Sequence, residues 1–238
     1  MGFENIFDAH AHYDDKWFDD DREAVLDGLP SKGVCGVVNN AVDLRSAEDV
    51  IALAERYDYI YAAVGFHPEN ILDMPENWLE GVARLTEHPK VVAIGETGLD
   101  SLRGAPLDRQ TEIFERHLQL AQSLRKPLII HCVRTSQQVL ASCRRLGVAV
   151  PVAIHGMRGN ERVAQPLLGA GFYLSFGPQF NPATVLATPH DRLLIETDDS
   201  GQCIEAVAAR IAPLLGITAA TLLTQAAANL QRFLTATH

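Results

Sequence analysis

The chain alternates short β-rich segments with helix-length segments, and eight such pairs follow one another along the sequence. The predicted strands are residues 5–10, 34–40, 59–66, 91–96, 127–131, 151–155, 172–176 and 192–197. In the intervening text apolar residues recur three or four positions apart, most clearly over residues 107–124. Because parallel strands need crossovers long enough to carry a helix, this pattern predicts a parallel sheet.

Eight strand–helix units in 238 residues match a (β/α)8 barrel, which typically has about 250 residues. An open, doubly wound sheet is the alternative, but the chain has no GxGxxG turn and eight strands suit a closed barrel better. We therefore predict an α/β protein with a TIM-type barrel. No Pro-, Gly- or Ser-rich linker interrupts the pattern, which predicts one domain over residues 1–238.

Charge and cysteine usage narrow the possible classes of protein. The formal net charge is −10, which argues against a protein that coats nucleic acid. Residues 101–165, however, hold ten basic and four acidic side chains, so a local positive region can face an anionic substrate. No apolar run reaches the roughly 18 residues of a membrane span. Four cysteines without a CxxC pair, and an N-terminus without a basic region, predict a cytoplasmic protein without membrane contact.

Residue types that bind metals collect at the predicted ends of the strands, where barrel enzymes have their active sites. They are His10 and His12 on the first strand, His67 after the third, Glu96 on the fourth, His131 on the fifth, His155 on the sixth and Asp198 after the eighth. This distribution predicts a metal-dependent catalytic site.

The spacing of these residues suggests which of them bind the same metal ion. Side chains two apart on a strand project to the same side, so His10 and His12 can reach one metal ion. Glu96 is the natural bridging ligand, because a carboxylate can bind two cations through its two oxygens. His131 and His155, on adjacent strands, indicate a second metal ion.

The end of the last strand offers two carboxylates. Asp198 faces His10 and His12 in a closed barrel, where it can bind a metal ion and accept a proton from the attacking water. Glu196 lies two residues earlier on the same predicted side, so strand alternation alone leaves both candidates open.

Taken together, these motifs resemble the TatD-type metal-dependent hydrolases. The resemblance extends from about residue 5 to residue 233, includes Gln110 on the helix before the fifth strand, and is carried by residues 7–12 (FDAHAH), 65–69 (GFHPE), 95–100 (GETGLD), 127–131 (PLIIH), 154–156 (IHG) and 195–198 (IETD). It implies a distorted (β/α)8 barrel of the amidohydrolase superfamily. It also implies phosphodiester hydrolysis on DNA, often as a 3′→5′ exonuclease.

The resemblance further implies two divalent cations, Mg or Mn, and the softness of the ligands also allows Zn. One cation would be held by His10, His12, Glu96 and Asp198, and the other by Glu96, His131 and His155. Two neighbouring cations can acidify a water molecule and stabilise the oxygens around phosphorus. We predict Glu96 and Asp198 as the catalytic residues, with Asp198 as the base.

The loops that would face the substrate depart from the family pattern. The chain has Ser101-Leu102-Arg103 where an aromatic pair is usual, Gly156-Met157-Arg158 after His155, and a short segment, 199–203, after Asp198. We predict that Arg103, Arg134 and Arg158 bind substrate phosphate because a guanidinium matches phosphate oxygens. His67 is predicted to donate a hydrogen bond to the same group.

Two alternatives stay open at this stage. The same centre can hydrolyse another ester or amide, in a small molecule or in an aminoacyl group on RNA. The barrel can also be a non-catalytic subunit of a larger assembly, although buried histidines and carboxylates without metal are costly. DNA or another phosphodiester is the expected substrate, and the sequence indicates no protein partner.

Overall fold

The computed structural model describes residues 5–235 and contains eight parallel strands in the order β1 to β8. They are β1 Ile6–Ala11, β2 Val34–Asn40, β3 Ile60–Val64, β4 Val91–Asp100, β5 Leu128–Val133, β6 Val152–Ile154, β7 Tyr173–Phe176 and β8 Leu193–Ile195. A parallel bridge between Ala11 and Asp198 joins the last strand to the first. The prediction of a (β/α)8 barrel is confirmed.

Helices follow the strands around the outside. They are α1 Arg22–Gly28, α2 Leu44–Arg56, α3 Trp78–Leu85, α4 Leu107–Leu124, α5 Ser136–Arg145, α6 Glu161–Gly169, α7 Pro182–Ala187, α8 Ile204–Ile211 and α9 Ala219–Thr235. Short 3-10 turns occupy Lys16–Phe18, Pro30–Lys32, Pro68–Asp73 and His190–Arg192. In this part of the chain no helix is long and apolar enough to cross a membrane. The predicted domain limits include residues 1–4 and 236–238, which lie outside the described residues.

Apolar periodicity explains the helices well. The helix predicted over residues 107–124 has the same bounds in the structure, and its buried face carries Ile113, Phe114 and Leu118. Helix α2 begins with a capping box, in which the Asp43 carboxylate accepts from the backbone N–H of Ser46 and the Ser46 hydroxyl accepts from that of Asp43.

The interior of the barrel is a separate apolar cluster. It takes one residue from each strand and two from α9: Ala9, Val38, Ala63, Ala93, Ile129, Ala153, Tyr173, Leu194, Leu230 and Phe233. Because side chains alternate along a strand, His131 lies on the same side as Ile129, and His155 on the same side as Ala153. The apolar layer therefore forms the floor beneath the polar residues.

The barrel is distorted in its strand register, as the sequence resemblance implies. Register shifts interrupt the pairing of β1 with β2, β3 with β4 and β4 with β5, and β1 and β8 meet through the single Ala11–Asp198 bridge. Strand β4 also continues to Asp100, past its predicted end at Glu96, because Asp100 still pairs with Val133 of β5.

Candidate metal centre

The six predicted metal ligands meet at the carboxyl end of the barrel. His10 lies on β1 and His12 directly after it, Glu96 on β4, His131 on β5, His155 directly after β6, and Asp198 three residues after β8. Residues separated by up to 188 positions thus converge because parallel strands all end at the same edge of the sheet.

One oxygen of Glu96 faces the first strand. Glu96 Oε2 lies 3.3 Å from His10 Nε2 and 3.2 Å from His12 Nε2, and these two nitrogens are 2.9 Å apart. Asp198 Oδ1 completes the group at 3.8 Å from His10 Nε2 and 3.6 Å from His12 Nε2. These four side chains are the set predicted to bind the first cation.

The other oxygen of Glu96 faces strands β5 and β6. Glu96 Oε1 lies 2.9 Å from His131 Nδ1 and 2.7 Å from His155 Nε2, and the two nitrogens are 3.2 Å apart. The two oxygens of one carboxylate therefore point to two different groups of imidazoles, which is the arrangement that a bridging ligand requires.

These distances fit divalent metal ions. Ligand atoms about 2.0–2.2 Å from a common ion lie about 3 Å from one another, which is close to the separations in both groups. His10 Nδ1 is buried and, within residues 5–235, has no hydrogen-bond partner, whereas its Nε2 faces Glu96 and His12. Three overlapping sets have ligand atoms within 4.8 Å of one another: His10, His12 and Glu96; His10, His155 and Asp198; and His67, Glu96 and His131.

The carboxylates of the centre carry negative charge. Burial works against the ionisation of Glu96, but the surrounding histidines outweigh it and hold the pKa of Glu96 well below its usual value. Burial likewise opposes the ionisation of Asp198, and His155 and His10 lower its pKa. Burial and the neighbouring His155 lower the pKa of His10. Burial also opposes the charged form of His12 and His155, but Glu96 outweighs it, raising the pKa of His12 to about 9 and holding that of His155 well above its usual value.

The structure separates the two carboxylates at the end of β8. Asp198 reaches His10 and His12, whereas the buried Glu196 accepts the backbone N–H of Gly156 at 2.6 Å and lies 3.8 Å from His155 Nδ1. Asp198 has a left-handed backbone with φ 57°, which costs a non-glycine residue roughly 1–3 kcal/mol. Its N–H donates to the carbonyl of His10 at 2.9 Å, which ties this conformation to β1.

His67 presents a proton to the centre. Its Nδ1 accepts from the backbone N–H of Glu69 at 3.2 Å, and burial lowers the pKa of His67 to about 4. The ring is therefore neutral at pH 7, and its proton sits on Nε2, which lies 3.4 Å from Glu96 Oε1. This tautomer suits a hydrogen-bond donor, which is the role predicted for His67.

Asp100 orients His131 through the ring nitrogen that faces away from Glu96. Its Oδ2 accepts from His131 Nε2 at 3.1 Å, which leaves His131 Nδ1 free to face Glu96. Its Oδ1 accepts the backbone N–H groups of Leu102 at 2.7 Å and Arg103 at 3.0 Å. Burial opposes the ionisation of Asp100, but the bond from His131 and these backbone donors lower its pKa.

Gly98 on β4 allows strand β5 to pack closely at His131. A Cβ atom at Gly98 would stand 2.0 Å from the carbonyl oxygen of His131, so β4 and β5 pack this closely only without a side chain there.

The three predicted arginines are placed unequally. Arg158 lies at the centre, with a guanidinium nitrogen 4.0 Å from Asp198 Oδ2. Arg103 is largely exposed and lies 3.6 Å from Glu69, next to His67. Arg134 is exposed after β5 and forms no ion pair within the described part of the chain. The structure therefore brings Arg158 to a predicted metal ligand and leaves Arg103 and Arg134 exposed to solvent.

Sequence reasoning assigned Asp100 no role beside His131. A signal for it existed, because Asp100 lies an even number of residues after Glu96 on one strand. Asp8, which accepts from the backbone N–H and the hydroxyl of Thr197 and so joins β1 to the end of β8, had the same kind of signal, because it lies two residues before His10 on β1.

A (β/α)8 barrel with histidines and carboxylates gathered at the carboxyl ends of its strands defines a metallohydrolase of the barrel type. Comparison with known proteins makes the class specific. The profile of the family described as TatD related DNase matches residues 7–235. The uncharacterized metal-dependent hydrolase YabD of Bacillus subtilis is 37% identical over 205 residues, which cover 81% of this chain and 79% of YabD.

Two further relatives support the same family. The 3′-5′ ssDNA/RNA exonuclease TatD of Cronobacter turicensis is 29% identical over 204 residues, or 81% of this chain and 77% of that protein. The crystal structure of the TatD homologue YjjV from Escherichia coli superposes with a TM-score of 0.85 and 27% identity, covering 97% of this chain and 98% of that one. The chain belongs to the TatD-related DNase family of metal-dependent hydrolases.

Proposed function

We propose that this enzyme removes nucleotides from the 3′ end of single-stranded nucleic acid, with two divalent cations in its active site. The observation that carries the proposal is the position of the Glu96 carboxylate, whose two oxygens face separate groups of imidazoles. The naming of the Cronobacter relative as a 3′-5′ ssDNA/RNA exonuclease supports the choice of substrate. The DNA duplex and the small-molecule ester are the competing substrates.

In this proposal His10, His12, Glu96 and Asp198 hold one cation, and Glu96, His131 and His155 hold the other. When bound, two such ions acidify water and offset the charge that develops on the oxygens of the phosphate. Mn, Mg and Zn all suit this mixed set of nitrogen and oxygen donors.

The protein's own groups supply the remaining steps. As the water oxygen bonds to phosphorus and the bond from phosphorus to the leaving sugar oxygen breaks, Asp198 accepts the water proton at a carboxylate oxygen and returns it to the leaving oxygen, since Asp198 lies at the edge of the centre and is partly accessible. His67 donates a hydrogen bond from its Nε2–H to a phosphate oxygen. Arg158 adds a guanidinium beside Asp198, where it can bind a second phosphate oxygen.

The test is a comparison of labelled oligonucleotides with the protein stripped of metal and then loaded with Mn, Mg or Zn. We expect a 3′-end ladder on single-stranded DNA and RNA, little cutting of a blunt duplex, and none of closed-circular single-stranded DNA. Glu96→Gln purified in parallel is the control for contaminating nuclease. Equal cutting of circular and linear DNA would refute the exonuclease, and hydrolysis of carboxyl esters alone would refute the phosphodiester substrate.

A second measurement reports how much of the surface binds nucleic acid. The centre offers few basic side chains, so the affinity for nucleic acid should fall with salt as it does for one or two phosphate contacts. For a single strand this is roughly 0.7 log unit per log of salt for each phosphate. A slope equivalent to six phosphates would show an extended binding surface that this geometry lacks.

A further inference from the structure

Gln110 is a polar residue on the buried face of helix α4, three residues after the helix begins. The same face carries the apolar Ile113, Phe114 and Leu118, and Gln110 itself is fully buried among them. A buried amide is costly unless its polar atoms are hydrogen-bonded. The partners of Gln110 therefore show what this residue holds in place.

Within residues 5–235, every side-chain hydrogen bond of Gln110 goes to the segment that joins the end of β4 to α4. Its Oε1 accepts the backbone N–H of Asp100 at 2.7 Å, and its Nε2 lies 2.9 Å from the Asp100 carbonyl. Nε2 also lies 2.9 Å from the carbonyl of Arg103 and 2.6 Å from that of Ala105. An amide has two N–H groups, so the three carbonyls share them. One side chain thus fixes both backbone groups of Asp100 and the loop 101–105.

The loop 101–105 is also fixed by the segment after β3. Gly104 has φ 80°, and a Cβ atom there would stand 2.3 Å from the carbonyl oxygen of Pro68. The backbone N–H of Ala105 donates to the same oxygen at 3.4 Å. The loop is therefore held between Gln110 on one side and the backbone of Pro68 on the other.

The loop in turn fixes the carboxylate of Asp100. The backbone N–H groups of Leu102 and Arg103 donate to Asp100 Oδ1 at 2.7 Å and 3.0 Å. Because these donors occupy Oδ1, Oδ2 is left to accept from His131 Nε2, 3.1 Å away. A continuous series of hydrogen bonds therefore leads from Gln110 through the loop and Asp100 to His131.

We propose that Gln110 is a positioning residue for the second cation, and that it acts on His131 through the loop 101–105 and the Asp100 carboxylate. The proposal rests on the proposed function, in which His131 binds that cation, and extends it to a side chain outside the centre. Without the amide of Gln110, the loop and the backbone of Asp100 lose their common partner, and Asp100 Oδ2 loses its fixed direction. His131 then loses the acceptor that keeps its proton on Nε2.

The test replaces Gln110 by Met, which has a similar size but lacks the donor and the acceptor of the amide. Gln122→Met is the matched control on the same helix, because Gln122 donates to the carbonyl of Leu146 at 3.2 Å and accepts from the N–H of Ala149 at 3.3 Å, before β6. Chelator-stripped protein is titrated with Mn²⁺ or Zn²⁺ by calorimetry. Long-range ¹H–¹⁵N NMR spectra of the metal-free protein report which ring nitrogen of His131 carries the proton.

We expect Gln110→Met to weaken the second binding event about tenfold, the lower end of the loss that follows removal of an orienting partner, and to leave the first within twofold. The ring proton of His131 should be divided between both nitrogens in this variant and lie on Nε2 in the wild type. Gln122→Met should match the wild type in both measurements. A second event within twofold of the wild type would overturn the proposal. Equal weakening of both events, with the His131 proton still on Nε2, would overturn it as well.

A double-mutant cycle tests whether Gln110 acts through Asp100. Asp100→Asn removes the carboxylate that links the loop to His131, so adding Gln110→Met should cause no further loss in the second binding event. A double variant weakened by the product of the two single losses would show independent effects and refute the link. If the wild type itself binds fewer than two cations, the proposed function fails, and the His131 spectra still decide the role of Gln110.

A variant of the loop keeps the question answerable if Gln110→Met does not fold. Gly104→Ala places a Cβ against the carbonyl of Pro68 and shifts the loop without changing α4. Gly147→Ala is its control, because Gly147 also has a left-handed φ, 59°, but a Cβ there meets nothing within 4 Å. Gly104→Ala should weaken the second binding event, and Gly147→Ala should leave it unchanged. A wild-type second event in Gly104→Ala would refute the loop as the connection between Gln110 and Asp100.

Discussion

Replacing Asp100 by Asn should weaken metal binding because it moves the ring proton of His131 from Nε2 to Nδ1. In the wild type, Asp100 Oδ1 accepts two backbone N–H groups and Oδ2 accepts from His131 Nε2. The asparagine oxygen must stay with the two backbone donors, because an amide NH₂ there would face them unpaired. The NH₂ group then turns to His131 Nε2, which has to become an acceptor, and the proton moves to Nδ1.

A proton on Nδ1 occupies the nitrogen that faces Glu96, 2.9 Å away, and blocks it as a ligand. Loss of such an orienting carboxylate typically lowers metal affinity about 10–100-fold, which corresponds to about 1.4–2.7 kcal/mol. Isothermal titration of chelator-stripped protein with Mn²⁺ or Zn²⁺ measures this, with the second binding event weakened and the first largely retained.

Asp49→Asn is the matched control, since it removes the same charge from the exposed face of helix α2. Its metal affinities should equal those of the wild type. A second metal affinity within twofold of the wild type in Asp100→Asn would refute the tautomer argument. A uniform loss of both binding events, with a lower thermal midpoint, would assign Asp100 a structural role instead.

Three further predictions address the centre and the fold. Glu96→Gln should abolish turnover and lower the occupancy of both metal positions, and two metals per chain by elemental analysis would contradict the bridging role. Asp198→Asn should keep the fold and part of the metal while slowing the rate roughly 10²-fold or more, whereas a near-normal rate would assign the base elsewhere. Burial lowers the pKa of His117 to about 4, while its ordinary value is 6.5, so the unfolded chain binds the proton more readily between these values. The stability it contributes is complete above pH 6.5 and falls toward pH 4, by up to about 1.4 kcal/mol per pH unit. His117→Gln, whose amide oxygen can still accept the N–H of Phe66, should flatten this slope in urea unfolding of metal-free protein, and an unchanged slope would show that His117 does not titrate on unfolding.

The amino-acid sequence alone determined the architecture and the list of candidate ligands. Hydrophobic periodicity is local, so it predicted helix α4 at its observed bounds and located all eight strands within a few residues. Strand alternation is also local, and it placed His10 and His12 on one side. Because every parallel strand of a barrel ends at the same edge, knowing the residue types at those ends was enough to predict that they meet.

Tertiary structure decided the partners of each group. Alternation could not choose between Glu196 and Asp198, which share a side; the bridge from Asp198 to Ala11 and the contact of Glu196 with Gly156 separated them. The bond from His131 to Asp100 depends on the register of β4 against β5, which a one-dimensional pattern does not specify.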